Sequence, residues 1–283
     1  MIVVIVSSIV LYAAPIWSLR HIDELEKIQN IFYRKLLSLP RNTPGYSIRA
    51  DTGIERIEVV LFSLVLNFIQ RILEMPEYRL PKICLKRLLQ LSKNNVKDEK
   101  YNWITQLKNK FFYKINRVEF IDSITLETLV KEKESLINDY KKYTQAIDKR
   151  EINNSSCLTV FSIFNETESK INYLNLKIPI SHKKILAQLR MLNKYNPRII
   201  TKDRINITKT GEYCNYCGDE NTIFHSIRHC EQYKKDRENL IPEILNSEME
   251  NSIFYFVNNL NDTQARKMVN FIHIILNEQN KMT

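Results

Sequence analysis

A chain of 283 residues that is 44% hydrophobic can bury a real core, which excludes a disordered polypeptide. Only four glycines among many Leu, Ile, Lys, Glu and Asn argue against a turn-rich β fold or a Gly-rich phosphate-binding one, and predict a mostly α protein. The formal charge is +10, and nearly all of the excess sits in residues 170–209, which carry ten Lys/Arg and one acid, Asp203.

The first nineteen residues, MIVVIVSSIVLYAAPIWSL, hold no charge. A secretory signal wants basic residues before its apolar core, and a membrane-spanning helix wants about 20 apolar residues. Ser7, Ser8, Pro15 and Ser18 interrupt this run, which therefore reads as a buried helix or helix end of an intracellular protein, with a signal peptide or anchor as the disfavoured alternative. Next, Ile22, Leu25, Ile28, Phe32, Leu36 and Leu39 recur at three- and four-residue steps, with acids early and Arg34 and Lys35 late, as the helix dipole prefers. Pro40 stops that helix. A second, strongly apolar helix is predicted from Glu55 to Glu74, ended by Met75 and Pro76, and Pro81 fits the first turn of a third that ends near Ser92.

Lys93 to Lys100 reads as a polar linker. Tyr101 to Arg117 predicts a helix whose Lys108, Lys110, Lys114 and Arg117 share a face with Tyr113; a solvated charged face is favoured over nucleic-acid contact there. Asp122 or Ser123 can cap a long helix to about Arg150, with Leu126, Val130, Ile137, Tyr140 and Ile147 as its apolar side. Cys157 to Phe164 is β-branched and aromatic enough for a strand between helical neighbours, and is left open.

From Lys170 the cations gather. Ser181 can cap a helix through Leu192 that carries Lys183, Lys184 and Arg190 on its polar side, and Lys194, Arg198, Lys202, Arg204 and Lys209 extend the positive run. Such a run neutralises phosphates, with an affinity that depends on salt and little on sequence. Tyr195, Tyr213, Tyr216 and Phe224 are near enough in the chain to offer stacking faces for unpaired bases; Phe224 is better read as packing, and Tyr216 is the preferred exposed ring.

The stretch CNYCGDENTIFHSIRHC follows. Cys214, Cys217, His225 and Cys230 stand in a C-x2-C-x7-H-x4-C spacing, that of a zinc knuckle: two thiolates one tight turn apart take two tetrahedral positions on Zn²⁺, and Gly218 can supply the positive φ of the turn. A disulfide reading would leave one of these three thiols unpaired and ignore the imidazole. His229 is an alternative fourth ligand through an H-x3-H ending; Cys230 is preferred because thiolate binds Zn²⁺ strongly, leaving His229 to orient the ligands. A reduced cysteine cluster without metal is the remaining alternative. Beyond it, a helix to about Leu240 carries His225 near its start and presents Lys234, Lys235 and Arg237 outward. Residues 243–283 predict two further helices, with Asp262 as N-cap of the last and Val269, Phe271 and Ile275 on its core face. His273 reads as a core or surface histidine.

The stretch LYAAPIWSLRHIDELEKIQNIFYRKLLSLPRNTPGY resembles the region that follows the polymerase palm in insect non-LTR retrotransposon reverse transcriptases of the jockey type. RILEMPEYRLPKICLKRLLQL, YNWITQLKNKFF, HKKILAQLRM with the CCHC knuckle, and CEQYKKDRENL resemble later segments of that family in the same order. This implies a thumb-like helical module at 1–92, a helical connector at 93–169, a basic segment and zinc knuckle at 170–242, and C-terminal helices at 243–283. The family's paired catalytic aspartates are absent, since no two Asp are adjacent, and so is its endonuclease domain. Polymerisation needs carboxylates clustered on metal ions, so the expectation is a non-catalytic C-terminal piece that binds RNA or single-stranded DNA, has the polymerase portion of the element as a partner, and does not engage a membrane. The alternative is a zinc-stabilised helical module that binds other proteins and no nucleic acid.

Overall fold

The structure, a computed structural model, describes residues 8–9, 11–94, 102–155, 173–192, 198–201, 204–207, 213–220, 222–242 and 256–281. The expected α class holds: nearly every element is helical. The chain folds into two compact units, each discontinuous in sequence, one of Met1–Asn30 with Glu55–Lys149 and one of Ile31–Ile54 with Arg150–Thr283. Residues 1–92 therefore do not pack as one block, because Ile31–Ile54 belongs with the C-terminal part of the chain.

In the first unit, α1 (Ala14–Trp17) begins with Pro15 at the position where a missing N–H costs nothing. Ala14, Ser18 and Leu19 are buried, whereas Ile9, Tyr12 and Ile16 are exposed, so the uncharged N-terminal run is buried on one side only where it is described. No helix among the described residues is long and apolar enough to cross a membrane. Helix α2 (Ile22–Leu36) starts in this unit with Asp23 and Glu24 in its first turn.

It ends in the second unit, shortly before Pro40. There Ser38 adopts φ 54°, the Leu39 N–H reaches the Arg34 carbonyl at 2.8 Å and the Ser38 N–H reaches Lys35 at 3.3 Å. This pair of bonds is the helix-ending motif that normally has Gly in the left-handed position. Ser38→Gly should stabilise the chain by about 0.5–1 kcal/mol by removing the left-handed Cβ penalty, less the backbone entropy of the unfolded state. Urea denaturation checks this, and an unchanged or lower midpoint counts against it. Helix α3 (Gly45–Thr52) then follows and closes on Gly53 at φ 70°.

Back in the first unit, α4 (Ile57–Leu73) is the apolar axis, burying Val59, Phe62, Val65, Leu66 and Ile69. The third helix, α5 (Leu80–Asn94), carries Pro81 in its first turn as expected. Asn102 caps α6 (Trp103–Leu107), accepting from the Ile104 and Thr105 N–H groups. The coil continues through a π turn at Lys108–Phe112 and a 3₁₀ turn to Ile115. Its cations divide: Lys108 is buried and pairs with Asp122 at 2.7 Å, whereas Lys114 stays exposed and Arg117 partly so while pairing with Glu58 at 3.4 Å and Glu132 at 2.9 Å.

After α7 (Val118–Asp122), α8 runs Leu126–Asn153. Its cap is neither Asp122 nor Ser123 but Thr125, which exchanges backbone and side-chain bonds with Thr128. Its core face is also rotated from the expected one. Leu129, Leu136 and Tyr140 are buried, while Leu126 and Val130 are exposed. Phe62, Phe111 and Tyr140 form the aromatic centre, the first two stacked at 4.8 Å between centroids.

The second unit's core gathers Leu37, Leu39 and Ile48 with residues from Ile152 to Leu276. Helix α9 (Ile180–Arg190) is preceded by Pro179 as its N-cap, so Ser181 lies inside it. Within the basic segment, β1 (Arg198–Thr201) pairs antiparallel with β2 (Arg204–Ile207), a hairpin not expected among these cations. Cys157–Phe164 lies outside the described residues. Helices α10 (Ile223–Arg228) and α11 (Lys234–Leu240) are separate, so His225 is not on the helix that reaches Leu240. The last helix, α12 (Asp262–Lys281), buries Met268, Val269, Phe271, Ile272 and Ile275. Its N-terminus is closed by Asn261, not Asp262: Asn261 Oδ1 accepts from the Gln264 N–H and Gln264 Oε1 from the Asn261 N–H. Asp262 instead accepts from the Lys177 N–H.

Candidate metal centre

The turn at Cys214 is built by its backbone. The Cys214 N–H donates to the Asp219 carbonyl at 2.7 Å, the Gly218 N–H donates to the Cys214 carbonyl at 2.8 Å, and Gly218 takes φ 76°, the left-handed conformation the spacing requires. Tyr213 and Glu220 bridge across its base. On the other side, Thr222 caps α10 by accepting from the His225 N–H at 3.0 Å, which fixes the histidine in the first turn. The Cys230 N–H returns to the His225 carbonyl at 3.1 Å.

These two segments bring Cys214, Cys217, His225 and Cys230 together, with their ligand atoms all within 4.8 Å of one another. The sulfurs of Cys214 and Cys217 lie 3.7 and 3.9 Å from that of Cys230. A tetrahedron with bonds of about 2.3 Å has edges of about 3.8 Å, so the thiols stand where a metal would hold them and too far apart for a disulfide. His225 Nε2 is buried with no hydrogen-bond partner, while Nδ1 faces the Asp219 carboxylate at 3.6 Å. A ring placed so can offer Nε2 to a metal while its second nitrogen turns toward an acid. His229 is exposed, and the four-residue set closes through Cys230.

The electrostatics also favour a cation. Burial alone raises the Cys214 thiol, but N–H groups of Tyr216 and Cys217 outweigh it and hold it at about 7. Cys217 accepts from the Glu231 N–H at 3.4 Å. Burial and its two thiol neighbours push Cys230 up to about 12. Cys214 and Cys230, shifted in opposite directions 3.7 Å apart, resist ionising together, whereas a divalent ion between them favours both thiolates. The cluster can thus hold a metal ion.

The residues expected to meet phosphates fare unequally. Arg190 is fully buried: its Nε donates to Asp51 at 2.5 Å and its Nη1 to Asn258, so the expectation that it lies on the polar side of α9 is overturned. A guanidinium in a dry core is stable only when paired, and its partner Asp51 is itself 1% exposed. Lys183 is half-buried and donates to the Leu174 carbonyl; Lys184 is half-buried and Arg198 exposed at the start of β1. Lys194 and Lys202 lie outside the described residues, as does the side chain of Arg204. Tyr216 is 59% exposed and Phe224 packs against the core, as expected of these two rings, and Tyr213 is 76% exposed. Arg237, expected to face outward, is buried against the knuckle. Neither its role nor that of Asp219 had a local signal beyond proximity to the ligands.

Comparison with known proteins finds no protein family, curated protein or solved structure that matches the chain.

Proposed function

We propose that this chain is a non-catalytic nucleic-acid-binding protein that carries one structural Zn²⁺ on Cys214, Cys217, His225 and Cys230 and grips single-stranded RNA or DNA, as the C-terminal part of a non-LTR reverse transcriptase would. The observation that carries the reading is the pair of exposed rings, Tyr213 and Tyr216, on the metal-binding turn. Two aromatic rings left in solvent on one turn offer faces on which unpaired bases can stack, and base stacking is tolerant of sequence. Exposed Arg198, Lys234 and Lys235 in the same unit supply positive charge for the backbone. Zinc is the metal that a closed set of three thiolates and one imidazole selects, and when bound it locks the turn that presents the rings. The resemblance to the retroelement segments supports the same reading.

Binding should weaken steeply with salt, at a log–log slope of roughly −0.7 per phosphate neutralised on a single strand. Tyr216→Ala should cost about 1–3 kcal/mol with the slope unchanged, whereas Lys184→Ala with Arg198→Ala should flatten the slope for all sequences alike. Fluorescence anisotropy with labelled homopolymers measures both. Equal affinity of all three proteins at low salt would replace this reading with that of a zinc-stabilised module for a protein partner.

A further inference from the structure

Arg237 lies outside the four-ligand motif, on α11, and is 4% exposed. Its Nε donates to the Ile227 carbonyl at 2.9 Å, and its Nη2 to the Cys230 carbonyl at 2.6 Å and the Ser226 carbonyl at 3.4 Å. The Ser226 and Ile227 carbonyls belong to the last turn of α10, where helix acceptors have no partner of their own. The Cys230 carbonyl belongs to a ligand. One guanidinium therefore ties the segment that carries His225 to the residue that closes the site.

Its charge matters as well as its reach. A Zn²⁺ ion with three thiolates and a neutral imidazole carries one net negative charge, and a buried guanidinium bonded to the backbone of one of those ligands offsets it where solvent cannot. Resting on the zinc reading above, we infer that Arg237 is a positioning residue of the metal centre: it holds His225 and Cys230 at ligating separation and balances the excess thiolate charge. Metal retention then depends on a residue that the C-x2-C-x7-H-x4-C pattern does not contain.

The test uses the full chain and compares the parent with Arg237→Met and Arg237→Lys. Zinc affinity is read by competition with a chromophoric chelator, and site geometry by the absorption of the Co²⁺-substituted protein. Arg237→Met should bind one equivalent of zinc roughly 10–100-fold more weakly, the usual effect of losing a group that orients metal ligands, with an altered Co²⁺ spectrum. Arg237→Lys, which keeps the charge without the fork, should recover part of the loss. A residue that merely capped α10 would leave the ligand geometry untouched, so an unchanged Co²⁺ spectrum with a lowered melting temperature overturns the inference. Should Arg237→Met not fold, Arg237→Lys decides: full parental affinity and spectrum overturn it, and weaker binding supports it. A parent chain that takes up no metal overturns the zinc reading itself, and does so before any variant is compared.

Discussion

Metal analysis of the purified chain should give one equivalent of zinc, and Cys217→Ser should release it. The serine hydroxyl is a poor ligand for Zn²⁺, and the three groups left behind do not close the site. Structural zinc sites contribute on the order of 10–16 kcal/mol in isolated peptides, so the region around Cys214–Cys230 should lose its fold while helices α4 and α8 of the first unit stand. Circular dichroism together with amide exchange resolves the two regions. Acid should act in the same direction. The ligands bind deprotonated, so affinity falls as pH drops and thiolates and imidazole take up protons, and it returns on neutralisation in the presence of zinc. Full zinc retention by Cys217→Ser would falsify the ligand set.

Arg190→Met should also be strongly destabilising, for a reason unrelated to any ligand. Asp51 accepts from Arg190 Nε on one oxygen and from the Tyr173 hydroxyl, also at 2.5 Å, on the other, and all three side chains are at most 2% exposed. Removing the guanidinium strands a buried carboxylate, which costs about 3–5 kcal/mol. Replacing Asp51 by Leu in the same chain removes the stranded charge, and the double variant should recover much of the loss because an apolar pair needs no counter-ion. Urea denaturation of the parent, both single variants and the double variant gives the coupling directly. A loss below about 1 kcal/mol for Arg190→Met would mean that the pair is solvated. Any weakening of nucleic-acid binding in that variant should likewise follow its lost stability, since Arg190 does not reach the surface.

Arg190 also marks what was readable in the sequence. The α class, α2, α4 and the core face of α12 were legible, because apolar spacing and flanking prolines are local signals. The Cys214–Cys217–His225–Cys230 cluster was legible for the same reason: four residues at a metal's spacing lie within one short stretch. Caps were misplaced by one to three residues, since Asp122, Ser123 and Thr125 all suit a helix start, and the Thr125–Thr128 exchange decides among them. The face of α8 was misread in part because two apolar stripes coexist on it. Of the expected residues Tyr140 is buried and Ile137 packs against the core, but Leu126 and Val130 are exposed, and packing selects Leu129 and Leu136 in their place. Arg190 and Arg237 looked like solvated cations in a basic context. Their burial depends on acceptors supplied from elsewhere, Asp51 lying 139 residues away, and no periodicity encodes that.

Cys214 and Cys230 are packed in the same apolar core as Leu37, Ile199 and Phe271. A metal held there is therefore not an ornament on a detachable finger, and zinc supply should set how long the whole second unit survives. Each tenfold rise in free zinc above the dissociation constant adds about 1.4 kcal/mol to the folded state. In a zinc-starved cell the fraction of chains open to proteases would climb by the same factor, so the protein's abundance would track the metal without any dedicated sensor.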